Sequence, residues 1–300
     1  MGDQPLDIPS NWELIDPELL TGTLLVIGAP NVGKTTFARH LYQRLCQTWD
    51  RVAFLDGDPG QSILSPPTMM TLALGERGED AFPPQGQFWR SFVGAVSPRG
   101  HMLPMVVGAA RLLRAASDAG TQVIVYDTSG LIDAAQGGMY LKLAKIDMIR
   151  PTVVFAIQYD LELKSLLEPL RRRRTVEVIQ LRPSTGAKQR SFLTRQGHRA
   201  AQFARYFSGA HLLTVNWVRL AVFPAPSFVV NRLVALEDES GFALGLGIVQ
   251  RIDRQFRQVV LYTPVTSLDR VDAIRMGDVV LDPQTFRDEP INARGFHHRS

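Results

Sequence analysis

The chain of 300 residues is 45% apolar and 21% charged, values of a folded globular protein that exclude a disordered or fibrous chain. Its single cysteine, Cys46, excludes an internal disulfide framework and a cysteine-based zinc site, and its six histidines, with His297 and His298 in a polar tail, show no metal-ligand spacing. The formal charge of +4 is too small to name a partner, but 28 of the 33 basic residues are arginine, so the five lysines (Lys34, Lys142, Lys145, Lys164 and Lys188) each stand out.

The N-terminal segment MGDQPLDIPSNWELID is acidic and polar, unlike a signal peptide. No apolar run approaches the roughly 20 residues that span a bilayer. The expectation is a soluble, cytoplasmic protein with no membrane partner. Apolar or β-branched runs then predict strands at 23–28 (TLLVIG), 52–56 (VAFLD), 92–97, 122–127 (QVIVYD), 152–158 (TVVFAIQ) and 176–181. Helical patterns fall between them near 34–48, 103–118, 138–149, 160–170 and 188–207. This alternation predicts an α/β fold, a parallel sheet with helices on both faces. After about residue 210 the pattern changes to strand-like pieces at 228–236, 243–252, 259–265 and 279–281, separated by turns. The expected organisation is an extension over 1–20, a nucleotide-binding domain over 21–210 and a small β-rich domain over 211–300. Charge follows these parts unevenly: −3 over 1–150, +7 over 151–210 and zero over 211–300.

The segment Gly28-Ala29-Pro30-Asn31-Val32-Gly33-Lys34-Thr35 fits the P-loop spacing G-x-x-x-x-G-K-[ST]. Its glycines let successive backbone N–H groups face phosphate oxygens. Lys34 brings charge to the β- and γ-phosphates, the Thr35 hydroxyl can complete the shell of Mg²⁺, and the helix that follows aims its N-terminus at the same anion. A strand before the loop and a helical pattern after it favour nucleoside-triphosphate binding by Gly28–Thr36 over a chance glycine-rich turn.

The second strand runs into Asp56-Gly57-Asp58-Pro59-Gly60-Gln61, two carboxylates at the edge where open parallel sheets bind ligands. In-line phosphoryl transfer needs a group that orients the attacking hydroxyl and a negative charge that holds Mg²⁺. Asp56 and Asp58 can divide these roles, although the segment also reads as a plain turn former. The fourth strand ends in Tyr126-Asp127-Thr128-Ser129-Gly130. There Asp127 can bind magnesium and Gly130 lets backbone approach a phosphate. Switch GTPases carry a similar Asp-x-x-Gly, so this segment alone does not choose a function.

Taken together, the chain resembles the polynucleotide 5′-hydroxyl kinase family, the RNA-end kinases of tRNA splicing, pre-mRNA 3′-end processing and ribosomal RNA maturation, and most closely its small microbial members. The residues that carry the resemblance are GAPNVGKTT (28–36), FLDGDPGQSILSPPT (54–68), SFVGAVSPRGH (91–101), YDTSGLIDAAQGGMYLKLAKIDMIRP (126–151) and RSFLTRQGHRAAQFARYFSGA (190–210), with IPSNWE (8–13) at the start. The resemblance implies transfer of the γ-phosphate of ATP or GTP, with Mg²⁺, to the 5′-OH end of single-stranded RNA or DNA, in RNA processing or nucleic-acid end repair. It implies that Asp58 is the general base, and that Thr128 and Gly130 form a clasp, where Leu131 stands in place of the family's tryptophan. It further implies that Arg190 and Arg195 are lid arginines on the helix near 188–207, with Arg199 as a competitor in register. Gln61, Arg99 and His101 are placed by it near the substrate end.

A helix with these arginines can close over a transferring phosphate, whose equatorial charge suits guanidinium forks; an ordinary solvated helix is the plainer alternative. Trp89 and Phe92 are candidates to stack on a base and equally candidates for the core. The nucleotide base itself falls to the segment Pro9–Trp12 or the β-rich domain. Three other functions stay open: a regulatory NTPase or GTPase switch, a small-metabolite kinase, and a scaffold in RNA processing. Against the switch, no Asn-Lys-x-Asp guanine-reading segment follows the strand VVFAIQYD.

Overall fold

The computed structural model describes residues 8–184 and 191–291. They form two compact units. The first takes the described residues up to Asp58, Met70–Trp89 and those from Pro98 to Ser184; the second takes Pro59–Met69, Arg90–Ser97 and the described residues from Ser191 onward.

In chain order the elements up to Ser184 are α1 (Ser10–Glu13), β1 (Gly22–Gly28), α2 (Lys34–Thr48), β2 (Arg51–Gly57), β3 (Met69–Glu76), β4 (Phe88–Phe92), α3 (Met102–Asp118), β5 (Val123–Thr128), α4 (Gly138–Ile149), β6 (Val153–Ile157), α5 (Lys164–Arg171) and β7 (Glu177–Leu181). Their sheet has the order β4-β3-β2-β5-β1-β6-β7. Strands β2, β5, β1, β6 and β7 are mutually parallel, and β3 runs antiparallel to β2. Strands β5 and β6 are buried along their whole length, as the unbroken apolar runs require of strands covered on both faces. Helix α2 turns Phe37, Ala38, Leu41, Tyr42, Leu45 and Cys46 inward, a stripe at helical spacing.

The second unit adds α6 (Phe192–Tyr206), β8 (His211–Asn216), β9 (Ala221–Phe223), β10 (Arg232–Glu237), β11 (Ala243–Asp253), β12 (Gln258–Thr263), β13 (Ala273–Leu281) and β14 (Asp288–Pro290). Its sheet order is β14-β13-β10-β11-β12-β8, antiparallel throughout, with β9 parallel to β13. Both faces of β10 are covered. Leu233 and Ala235 face a cluster that includes Met69, Phe92, Phe203 and Phe207. Val234 and Leu236 face another around Val215, Phe228, Val249 and Ile274.

Several expectations change. The strand expected at 92–97 is β4, Phe88–Phe92, and β3 is an unforeseen strand whose Met, Leu and Ala residues carry little β signal. The helix expected from 160 starts at Lys164, because Glu162 accepts the N–H groups of Tyr159 and Asp160 and holds a turn there. The division at 210 is not the one between the compact units. Helix α6 belongs to the β-rich unit, since Phe203 and Phe207 are fully buried in that unit's core. Arg190 and the start of the helix expected from 188 lie outside the described residues.

Candidate active site

The loop between β1 and α2 turns on two left-handed residues, Asn31 (φ 63°) and Gly33 (φ 89°). A side chain on Gly28 would meet the Ile157 carbonyl oxygen at 2.5 Å, so glycine is required where the loop leaves the sheet. Val32 is buried, Ala29 half-buried and Pro30 exposed. Lys34 opens α2, is 7% exposed, and donates from Nζ to the Ala29 carbonyl at 2.7 Å. Thr35 and Thr36 follow, half-buried; Thr35 Oγ1 donates to Asp127 Oδ2 at 2.5 Å.

The carboxylates meet through strand register. Parallel pairing of β2 with β5 sets Asp56 opposite Asp127 and Gly57 opposite Thr128. Asp56 and Asp127 are both buried, and Asp58 comes next, with its N–H 3.4 Å from Asp56 Oδ1. Burial pushes the Asp127 carboxyl up to about 7, against the pull of Lys34 and the Thr35 hydrogen bond. Burial likewise lowers the Lys34 ammonium, while Asp127 and then Asp58 support its charge.

After β5, Thr128 Oγ1 donates to the Val26 carbonyl on β1 at 2.7 Å and accepts from Lys142 Nζ at 2.8 Å. Lys142 also donates to the Ser129 carbonyl. A Cβ on Gly130 would stand 2.8 Å from Pro30 Cα, so this glycine brings the strand end against the phosphate loop. The lysine hydrogen-bonded to Thr128 is therefore Lys142, while Lys34 is bonded to Ala29.

Among the described residues no group of three or more His, Cys, Asp or Glu side chains forms a metal cage. Magnesium does not need one: it takes one or two carboxylates plus substrate phosphates and water. Asp127 Oδ1 is buried without a hydrogen-bond partner, next to the Thr35 hydroxyl on Oδ2. These hard oxygen donors fit Mg²⁺.

The remaining predicted residues are spread over both units. Arg99 and His101 lie in the first, just before α3, with His101 Nδ1 3.1 Å from the Arg99 carbonyl oxygen. Gln61 belongs to the second and donates to its neighbour Gly60's carbonyl at 2.6 Å. Arg195 is half-buried on α6 in the second unit. Its competitor Arg199 is committed elsewhere: its Nε and a terminal nitrogen each donate to Asp288 at 2.9 Å, both side chains buried. Phe92 is a core residue. Trp12 is fully buried, packs on Phe37 and donates to the Arg182 carbonyl at 3.3 Å, so its ring is not open to a base.

Two residues had no role in the sequence reading. Lys142 and Lys145, on α4, are both completely buried. Burial lowers both ammoniums, Lys142 far down and Lys145 to about 7, and Asp58 and Asp127 oppose the shift in each. Their signal was the scarcity of lysine and their three-residue spacing on one helix face.

Known proteins are similar to this chain over most of its length. A polyribonucleotide 5′-hydroxyl-kinase of Methanocaldococcus jannaschii is 25% identical over 318 aligned positions, covering 86% of this chain and 87% of the relative. One of Pyrococcus abyssi is 25% identical, covering 92% of each. The solved structure of Clp1p in complex with Pcf11p shares the fold, with a TM-score of 0.63 at 11% identity over 86% of this chain and 74% of that one. The family described as mRNA cleavage and polyadenylation factor CLP1 P-loop matches residues 28–209, more than half the chain, and the chain belongs to that family.

Proposed function

We propose that this protein is a polynucleotide 5′-hydroxyl kinase. It transfers the γ-phosphate of a nucleoside triphosphate to the 5′-OH of an RNA or DNA end. The observation that carries the reading is the register of β2 on β5, which lines up Asp56 and Asp127 beside Lys34 and Thr35, with Asp58 one step beyond.

Each residue has a physical task. The loop Gly28–Thr36 wraps the phosphates with backbone N–H groups, and Lys34 exchanges the Ala29 carbonyl for phosphate oxygens. Thr35, Asp56 and Asp127 would hold Mg²⁺, which supplies charge neutralisation to the phosphates when bound. Asp58, the half-buried end of this row, orients the attacking hydroxyl and takes its proton. Thr128 and Gly130 fix the strand end against the loop. Arg195, with Arg190, supplies guanidinium charge to the transferring group. Gln61, Arg99 and His101 are the contacts proposed for the nucleic-acid end, which is single-stranded.

Incubation with γ-labelled ATP or GTP and 5′-OH RNA, 5′-OH DNA or nucleosides tests the reading. Label should pass to the oligonucleotides. Nucleotide hydrolysis without transfer to any of them would reject it, and label on nucleosides alone would make the protein a small-molecule kinase.

A further inference from the structure

Lys145 is the most anomalous charge among the described residues. It is 0% exposed, and its Nζ has no hydrogen-bond partner there. The Tyr126 ring centroid lies 4.8 Å from Nζ, and the Asp58 and Asp127 carboxylates act on the ammonium through space without a hydrogen bond to it. A cation–π contact of this kind returns only part of what an ammonium loses on leaving water. The neighbouring Lys142 spends its hydrogen bonds on Thr128 and Ser129 and adds a like charge. A methionine would fill the Lys145 site with none of this cost. The fold therefore retains a charge that weakens it, and the strand that carries its partner Tyr126 continues directly into Asp127, beside the phosphate loop.

We infer that Lys145 is a charge-balancing residue of the nucleotide site, a buried cation left without a hydrogen-bonding partner in the free protein so that it can offset the negative charge of a bound triphosphate. It touches no phosphate. It acts through the low-dielectric interior, where a charge is felt over several ångströms. The inference rests on nucleotide binding at Gly28–Thr36. Its distinguishing mark is a pair of effects with opposite sign. Removing the charge relieves the free protein and weakens the complex, because a ligand that binds only the folded state stabilises it in proportion to affinity.

The experiment compares the unaltered chain with Lys145→Met and Lys145→Gln in thermal melts, with and without the magnesium complex of a non-transferable ATP analogue. Steady-state transfer to 5′-OH RNA is measured alongside. Lys145→Met should melt at or above the unaltered chain when free, yet gain less from the analogue. Its KM for nucleotide should rise roughly ten-fold or more, by a larger factor than kcat falls. Lys145→Gln should show the same weakened nucleotide response. If both variants melt lower or do not fold, the lysine is structural and the inference is overturned. Equal stabilisation of all three chains by the analogue, with unchanged KM, also overturns it while leaving the kinase reading intact. No stabilisation of the unaltered chain would remove the nucleotide site and this inference with it.

Discussion

The two units of this protein treat buried cations in opposite ways. In the β-rich unit each is met by a carboxylate: Arg199 by Asp288, and Arg232 by Asp278, with the Gly277 carbonyl beside it. In the phosphate-loop unit the direct partners are neutral: Lys34 bonds a loop carbonyl, Lys142 a hydroxyl and a carbonyl, and Lys145 faces an aromatic ring, while Asp58 and Asp127 act on all three through space. A cation matched at both ends is architecture, since its charge is already spent. A cation held by neutral groups is available to an anion that arrives later. On the proposed function, the difference separates residues that build the fold from those that serve the reaction, and substitutions can break or sharpen it.

The largest effects are expected on transfer in the first unit. Lys34→Ala should cut turnover on the order of 100- to 1,000-fold, and Asp58→Asn by about 100- to 10,000-fold, with little change in the melting temperature of the free protein. Next is stability in the second unit. Arg199→Ala strands a buried Asp288, and equilibrium unfolding should show a loss of about 3–5 kcal/mol. A smaller effect is expected for Arg195→Ala, which should lower kcat more than nucleotide affinity; wild-type turnover would place the catalytic arginine elsewhere.

The smallest effect is on pH dependence. The Lys145 ammonium is brought from 10.5 down to about 7 in the fold. Above 7 the unfolded chain therefore binds more protons than the folded one, and stability rises with pH. The rise is best read below 9. Beyond that the buried Cys46 thiol, raised from 9.0 to about 11, acts with the opposite sign. Melting temperatures between about pH 7 and 9 should climb in the unaltered chain and climb less in Lys145→Met.

Much of the first unit was legible because its signals are local. The loop spacing, the unbroken apolar strands and the paired carboxylates all lie within short segments, and helices α2 and α4 match their expected spans residue for residue. What escaped depends on contacts distant in sequence. The ion pair of Arg199 with Asp288 joins residues 89 apart, so nothing near the helix could show that this arginine was taken. The compact units interleave segments 59–69 and 90–97 with the β-rich C-terminal part, because Met69 and Phe92 are buried with α6, and composition along the chain does not reveal that. The segment Pro9–Trp12 read as a place for the nucleotide base, but Trp12 is fully buried and packs on Phe37 of α2. The lysines of α4 were visible as rare residues, yet their burial depended on where β5 placed Tyr126 and Thr128.

The central claim is that the row Lys34, Thr35, Asp127, Asp56 and Asp58 moves a phosphoryl group to a nucleic-acid end. Its most direct test follows label from γ-labelled nucleoside triphosphate to a 5′-OH oligoribonucleotide with the unaltered chain, Lys34→Ala and Asp58→Asn in parallel. The account predicts label at the 5′ end with the unaltered chain and near-total loss in both variants. Labelling undiminished in Asp58→Asn, or no labelling by the unaltered chain while it hydrolyses the nucleotide, would contradict it.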